Sequence, residues 1–221
     1  MTSKLLSKTT PKKKFDLVLP KREITKVSVT SDDSATNNDL NIIRYELSGF
    51  SPSKITESIW LGSYKDSSCH DELSKMGITH ILNVAKECSH DNDVQNIIVK
   101  KFDIVDHSDS DIHSIFDEAH KFINECLESK GKILIHCQQG ISRSTTVLIS
   151  YLMKYGFVSL DDTKYEPFGS YESVSQYVRS RRSIVSPNLG FVFTLCEFEK
   201  ELKKDHSGIE DDEKSSDFFE F

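Results

Sequence analysis

The sequence KILIHCQQGISRS, residues 132–144, decides the fold because it joins an apolar run to a glycine-containing loop and then to a helix. The run KILIH (132–136) is typical of a buried strand. From Arg143 the apolar positions follow helical spacing as far as a stop at Gly156. Ligands of parallel α/β sheets bind outside the carboxyl ends of the strands, so we expect the loop 137–143 to lie at a binding edge.

The segments on either side of this stretch alternate between strand and helix. Apolar runs predict strands at 59–62, 80–84 and 97–105. Helical spacing predicts helices at 66–76, 111–127, 171–182 and 188–204, with Asp111 as the N-cap of the second. This order indicates an α/β fold with a central, mainly parallel sheet and helices on both faces.

Composition and charge divide the 221 residues into three parts. Residues 1–48 form a basic arm that we expect to be largely disordered, 49–204 form the folded domain, and 205–221 form an acidic, disordered tail. No apolar run is long enough to span a bilayer, and the N-terminus is not a secretory signal. We therefore expect a monomer of the cytoplasm, the nucleus or both, without membrane association.

The composition disfavours two classes of protein, nucleic-acid-binding proteins and zinc proteins. The net charge of −7 argues against nucleic acid as the main partner. The five cysteines are scattered, and no CxxC pair or His/Cys cluster suggests zinc. We expect reduced thiols, no metal and no cofactor.

The loop has the chemistry of a phosphate site. A tight turn at a helix start aims backbone N–H groups inward, which binds a phosphate dianion and favours a thiolate at Cys137. We expect Cys137 to attack phosphorus and Arg143 to hold two equatorial oxygens. Ser144 can donate a hydrogen bond to the thiolate, and His136 orients the loop through backbone contacts. The phosphate-binding residues are then Gln138, Gln139, Gly140, Ile141, Ser142 and Arg143.

An acid for the leaving group should follow a neighbouring strand. Asp106 comes directly after the predicted strand 97–105 and is our choice, with Asp109 as the alternative because Asp111 is needed as N-cap. Cys88 follows the strand 80–84 at the same edge. It is a candidate redox partner that could trap an oxidised Cys137 as a disulfide, or an ordinary loop cysteine.

The run HCQQGISRS followed by TTVLISYLMKYG resembles the dual-specificity branch of the cysteine-based protein tyrosine phosphatases. The resemblance covers roughly residues 50–203 and includes IWLGS, LSKMGITHILNVA and RRSIVSPNLGFVFTLCEFE in the expected order. It implies a protein tyrosine phosphatase-like fold and a cysteinyl-phosphate intermediate. It also implies that Asp106 is the acid and that Asn188 braces the site. Two features depart from the family pattern: a long insert at about 161–173 and the basic arm.

The loop and the arm bear on the substrate. Relatives that act on phosphoinositides tend to carry lysines inside the loop, whereas this loop is neutral before Arg143. We expect a shallow pocket that admits phosphotyrosine and phosphoserine or phosphothreonine in proteins. The alternatives are a lipid or glycan phosphate, or a kinase-anchoring protein in which catalysis is secondary.

The arm contains a basic cluster followed by alternating apolar residues: Lys12, Lys13, Lys14, Leu17 and Leu19. This pattern resembles the docking peptides of MAP kinase partners, which predicts a phosphorylated MAP kinase as substrate. A nuclear-import signal or a solvated basic arm has the same pattern.

Overall fold

A five-stranded sheet forms the centre of the computed structural model, which describes residues 49–89, 96–158, 165–166 and 169–213. In spatial order the strands are β1, β2, β5, β3 and β4. They span Ser53–Lys54 (β1), Ile59–Ser63 (β2), His80–Asn83 (β3), Ile98–Lys101 (β4) and Ile133–Cys137 (β5). β1 is antiparallel to β2 and the other pairings are parallel, which confirms the predicted α/β class.

Helices pack on both faces of this sheet. They span Tyr64–Ser67 (α1), His70–Met76 (α2), Phe116–Glu128 (α3), Arg143–Tyr155 (α4), Tyr171–Arg181 (α5) and Leu189–Glu213 (α6). A small antiparallel ladder, Phe157–Val158 (β6) with Tyr165–Glu166 (β7), follows α4. Within the described ranges, no helix combines the length and apolar character needed to cross a membrane.

Alternating side chains of β5 divide the core between the two faces. Ile133 and Ile135 point into the larger cluster, which includes residues of α3, α4, α5 and α6. Leu134 points the other way, into a smaller cluster with Leu73 and Ile81. All are fully buried. Because β5 is covered on both faces, its sequence reads as a continuous apolar run, and the chain leaving it at Cys137 starts from a rigid position.

Three predicted boundaries were wrong. The helix predicted at 66–76 is two helices, because Ser63 and Asp66 form a capping box that starts α1 earlier, and the chain turns at Ser68 before α2. The strand predicted at 97–105 ends at Lys101, because its partner β3 ends at Asn83. The helix predicted from Asp111 begins at Phe116 instead, after a 3₁₀ turn at His113–Ile115.

Asp111 still acts as a cap, since its Oδ1 accepts a hydrogen bond of 3.1 Å from the Ser114 backbone N–H in that turn. At the other end of the domain, α6 continues past Lys204 to Glu213, into the segment predicted as an acidic tail. The pairs Lys203–Glu199 (2.6 Å) and Lys200–Glu197 (2.6 Å) support its exposed side. The arm 1–48 lies outside the described residues, as do six of the thirteen positions of the insert 161–173 (161–164, 167 and 168) and residues 214–221.

Candidate active site

The loop between β5 and α4 begins at Cys137 and ends at Arg143, the first residue of the helix. Gly140 has a φ of +67°, and a Cβ there would overlap the Gly62 carbonyl of β2. Only glycine combines that backbone conformation with so close an approach. The sequence therefore allows the loop to fold tightly against the end of the sheet.

The Cys137 thiol lies inside this loop and is buried. The Ser144 hydroxyl donates a hydrogen bond of 3.2 Å to its Sγ. Burial raises the pKa of Cys137, but hydrogen bonds from the Ser144 hydroxyl and from the backbone N–H groups of Ser144, Ile141 and Gly140 outweigh it, so the pKa lies below its ordinary value. The loop thus stabilises a thiolate.

Arg143 is 4% exposed, and hydrogen bonds from its Nη1 and Nη2 hold the end of its guanidinium. Nη1 donates to Glu87 Oε2 (2.7 Å) and to the Ile104 carbonyl (2.9 Å), and Nη2 donates to Glu87 Oε1 (2.6 Å). Within the described ranges, the buried Nε–H has no hydrogen-bond acceptor. Since Nε and the second N–H of Nη2 share the remaining edge of the planar group, that edge forms a free fork for an anion.

Glu87 was missed in the sequence analysis. It lies in the loop after β3, at the same edge of the sheet as Cys137, and its hydrogen bonds to Arg143 hold its pKa below the ordinary value. The sequence signal for Glu87 is the same as for Asp106, namely a carboxylate that follows a predicted parallel strand. Only the three-dimensional contact shows which side chain it serves.

Asp106 stands over the free fork of Arg143. Its Oδ1 accepts hydrogen bonds from the Ser142 hydroxyl (2.7 Å) and from Asn188 Nδ2 (2.9 Å), and its Oδ2 lies 3.6 Å from Arg143 Nε. The structure therefore brings Asp106 to the loop. Asp109 points elsewhere, with a side chain 86% exposed. Ser142, which we expected to contact phosphate, uses its hydroxyl to hold Asp106.

The segment that carries Asp106 is fixed by α6. Asn188 Oδ1 caps this helix by accepting a hydrogen bond of 3.0 Å from the Phe191 backbone N–H, while its amide holds Asp106. A Cβ at Gly190 would overlap the Ser108 backbone, so glycine lets the acid loop pack directly on the helix. Gly190 gave no signal in the sequence analysis.

The other predicted residues lie close to the nucleophile. His136 is buried, with Nδ1 3.3 Å from the Cys137 carbonyl oxygen. Cys88 is buried in one apolar cluster with Cys137 and Ala85, and its thiol donates a hydrogen bond of 3.0 Å to Gln138 Oε1. The predicted docking residues, Lys12, Lys13, Lys14, Leu17 and Leu19, lie outside the described residues.

A cavity of about 430 Å³ lies at the carboxyl edge of the sheet. Its lining is Glu87, Asp106, Cys137, Gln138, Gln139, Ile141, Ser142, Arg143, Ser186 and Asn188. Among the lining residues that the structure describes, Arg143 is the one cation, and it faces two carboxylates and the thiol.

The fold and the site are those of a cysteine-based phosphatase. The family model for the dual specificity phosphatase catalytic domain matches residues 59–201, and the chain belongs to this family. It is 34% identical over 159 residues to Dual specificity protein phosphatase 1 of Mus musculus, covering 72% of this chain and 40% of that protein. It is 33% identical over 152 residues to Dual specificity protein phosphatase 1B of Arabidopsis thaliana, covering 68% of this chain and 83% of that protein.

Solved structures give the same family. The human tyrosine phosphatase-like serine/threonine/tyrosine-interacting protein is 31% identical, with a TM-score of 0.57, and the match covers 67% of this chain and 95% of that one. DUSP15 is 26% identical with a TM-score of 0.57, covering 69% and 95%. The chain spans about 40% of the length of the mouse relative.

Proposed function

We propose that this protein is a dual-specificity protein phosphatase that removes phosphate from phosphotyrosine and from phosphoserine or phosphothreonine through a cysteinyl-phosphate intermediate. The observation that carries the proposal is the free fork of Arg143. Among the residues that the structure describes, its buried Nε–H has no hydrogen-bond acceptor, and the fork lies beside a stabilised thiolate. An unsatisfied buried donor costs about 1–3 kcal/mol, which a phosphoryl oxygen would recover.

In the first step the phosphoryl group lies against the loop N–H groups and the fork of Arg143. The Cys137 thiolate attacks phosphorus, the S–P bond forms, and the ester P–O bond breaks. Protonated Asp106 gives its proton to the leaving oxygen. The loop amides and Arg143 stabilise the charge of the transferring group without reorganising.

In the second step Asp106, now a carboxylate, takes a proton from water as the water oxygen attacks phosphorus. The S–P bond breaks and inorganic phosphate is released. The leaving thiolate is stabilised by the Ser144 hydroxyl at 3.2 Å. The hydrogen bonds from Ser142 and Asn188 hold Asp106 on the correct side of the pocket for both transfers.

The lining supports a protein substrate. Glu87 and Asp106 add negative charge around a neutral loop, and within the described part of the chain Arg143 is the one cation that lines the cavity. A headgroup with several phosphates would meet repulsion there, whereas a single phosphorylated side chain brings one dianion to one fork. The curated relatives above are named as protein phosphatases, which agrees with this preference.

We propose a MAP kinase as the substrate protein. The support is the basic and apolar pattern of Lys12–Lys14, Leu17 and Leu19, in which lysines suit an acidic surface and leucines suit apolar slots. Such a docking arm would raise the local concentration of the phosphorylated activation loop at a pocket with little contact area of its own. A monomer in the cytoplasm, the nucleus or both fits this role.

The test uses the full chain and a doubly phosphorylated activation-loop peptide. Wild type should release inorganic phosphate, Cys137→Ser should release none, and Cys137→Ser should retain the phosphorylated substrate from a lysate. A panel of phosphoinositides and phosphoglycans separates the lipid or glycan alternative. Turnover confined to that panel would overturn the protein-phosphatase proposal. Full rescue of a deletion phenotype by Cys137→Ser would instead establish the anchoring role.

A further inference from the structure

Arg182 lies behind the phosphate-binding loop, on the side away from the pocket. It directly follows α5 and is buried, with 9% exposure. Nε donates to the Gly140 carbonyl (3.0 Å) and Nη2 to the Gln139 carbonyl (3.3 Å). The neighbouring Arg181 and Arg182 look equivalent in the sequence, but in the fold the Arg181 guanidinium lies over the Tyr177 ring, 5.0 Å from its centroid.

These two hydrogen bonds fix the loop amides on the opposite side. In a trans peptide the C=O of one residue and the N–H of the next point in opposite directions. Holding the Gln139 carbonyl outward therefore points the Gly140 N–H inward, and holding the Gly140 carbonyl outward points the Ile141 N–H inward. Both N–H groups contribute to the lowered pKa of Cys137.

The other end of the Arg182 guanidinium is hydrogen-bonded to β1 and to the residues just before it. Nη1 donates to the Ser51 carbonyl (3.1 Å) and to the Ser53 hydroxyl (3.2 Å). The Ser51 backbone N–H is in turn held by Asp66 at 2.6 Å. Arg182 is thus anchored at both ends, so it can hold the loop carbonyls in one orientation.

The charge of Arg182 is not neutralised by a direct carboxylate contact. Among the residues that the structure describes, no acidic oxygen lies within 4.0 Å of its guanidinium, although Asp66 and Cys137 attract it from farther away. Burial lowers the pKa of Arg182 and outweighs the attraction of Asp66 and Cys137, which raises it. A buried cation is costly unless an anion lies near, and Arg182 has two: Asp66 and, across the loop, the Cys137 thiolate.

We propose that Arg182 is a positioning residue for the phosphate-binding loop: it orients the Gly140 and Ile141 amides toward Cys137 and the bound phosphoryl group. This role rests on the proposed phosphatase chemistry, but it acts on thiolate formation and oxyanion binding, both of which are measurable without turnover. It differs from the role of Arg143, which faces the pocket and contacts the phosphoryl group itself.

The test compares Arg182→Met, Arg182→Lys and wild type. Two quantities are measured: the pH at which Cys137 alkylation by iodoacetamide is half-maximal, and the affinity for tungstate by calorimetry. In Arg182→Met we expect the midpoint to rise by about one pH unit, as for loss of a nearby opposite charge. We also expect tungstate affinity to fall at least about tenfold, because the loop donors are misaligned. Arg182→Lys keeps the charge but loses the fork, so its midpoint should move less while tungstate binding remains weak.

Arg179→Met is the matched control, since Arg179 is an exposed arginine on the same helix. It should behave as wild type in both measurements. Thermal unfolding checks that each variant is folded, and Arg182→Lys keeps the test valid if Arg182→Met fails to fold. A folded Arg182 variant with the wild-type midpoint and tungstate affinity within twofold of wild type would overturn the proposal. Failure of the proposed function looks different: wild type would bind tungstate yet show no Cys137-dependent turnover.

Discussion

Glu87 and Arg143 share two hydrogen bonds at the mouth of the pocket, of 2.7 Å (Nη1 to Oε2) and 2.6 Å (Nη2 to Oε1). This contact occupies the end of the guanidinium and leaves its side, Nε with Nη2, facing the pocket. A phosphoryl group therefore has one edge of Arg143 available to it. In the proposed reaction, the ion pair sets the direction in which the phosphate is held.

We predict that Glu87→Gln weakens substrate positioning more than it weakens the fold. The amide can accept one of the two hydrogen bonds but loses the bidentate geometry, so Arg143 gains freedom to rotate. We expect kcat/KM on a phosphopeptide to fall about ten- to a hundredfold, as for other errors in positioning. The matched control is Glu57→Gln, since the Glu57 side chain is 92% exposed and pairs with Lys54 on the surface. Equal activity in both variants would contradict the role of the pair.

The stability of the fold should also depend on the Glu87–Arg143 pair, and we expect this dependence to change with pH. Because hydrogen bonds to Arg143 lower the pKa of Glu87 in the folded state, the ionised pair stabilises the fold above the pKa of the unfolded carboxyl, about 4.3. The contribution is lost as pH falls through the folded pKa. The difference in unfolding free energy between wild type and Glu87→Gln should therefore be largest near pH 7 and shrink in acid. Urea melts across pH 3–7 measure it, and a constant difference would contradict the prediction.

Asp106→Asn should slow the reaction according to the leaving group. The amide keeps an acceptor for Ser142 and Asn188 but has no proton to give, and general acid catalysis contributes about 10²- to 10⁴-fold. We expect kcat to fall strongly for phosphotyrosine peptide and much less for an aryl phosphate whose leaving group needs no proton. Asp109→Asn is the control, because its side chain is 86% exposed and does not line the pocket. A larger loss in Asp109→Asn would reverse the assignment.

Ser144→Ala should move the acid limb of the pH–rate profile to higher pH. The active form of Cys137 is the thiolate, so the rate rises as pH rises through the thiol pKa. Removing the Ser144 hydroxyl removes a hydrogen bond that favours the thiolate, so that pKa must rise. A hydrogen bond worth about 0.5–1.5 kcal/mol corresponds to roughly 0.4–1.1 pH units. Ser150→Ala is the control: Ser150 is buried on the same helix but bonds His120. An unchanged acid limb in Ser144→Ala would refute the role.

The parts of the candidate site that the sequence predicts most directly are neighbours in the chain. Cys137, Arg143 and Ser144 lie within a single strand–loop–helix unit, and the structure brings them together there. Asp106 could be found because parallel strands end at a common edge. Glu87 and Arg182 act on the same loop from 56 and 42 residues away. Their spacing carries no pattern, and charge alone does not distinguish them from the exposed Glu57 and Arg179.

The predicted end of the strand 97–105 was wrong for a related physical reason. The apolar pattern of 97–105 continues past Lys101, but a strand needs a partner, and β3 ends at Asn83. Phe102 still donates to the Asn83 carbonyl at 2.8 Å, after which the chain turns toward the pocket with Asp106. The early end of β4 is therefore what delivers the acid to the site.

The neighbouring thiols lead to the last prediction, that hydrogen peroxide inactivates the protein reversibly through a Cys88–Cys137 disulfide. Peroxide would oxidise the Cys137 thiolate to a sulfenic acid and be reduced to water. The Cys88 thiol would then displace a second water to form the S–S bond. Burial and the charge of Glu87 raise the pKa of Cys88 to about 11, so Cys88 resists peroxide itself and serves only in the second step. In Cys88→Ser, dithiothreitol should fail to restore activity because Cys137 proceeds to sulfinic acid, whereas Cys126→Ser, a distant buried cysteine, should recover as wild type does. Peptide mapping without reduction detects the disulfide, and full recovery of Cys88→Ser with no cross-linked peptide in wild type would disprove it.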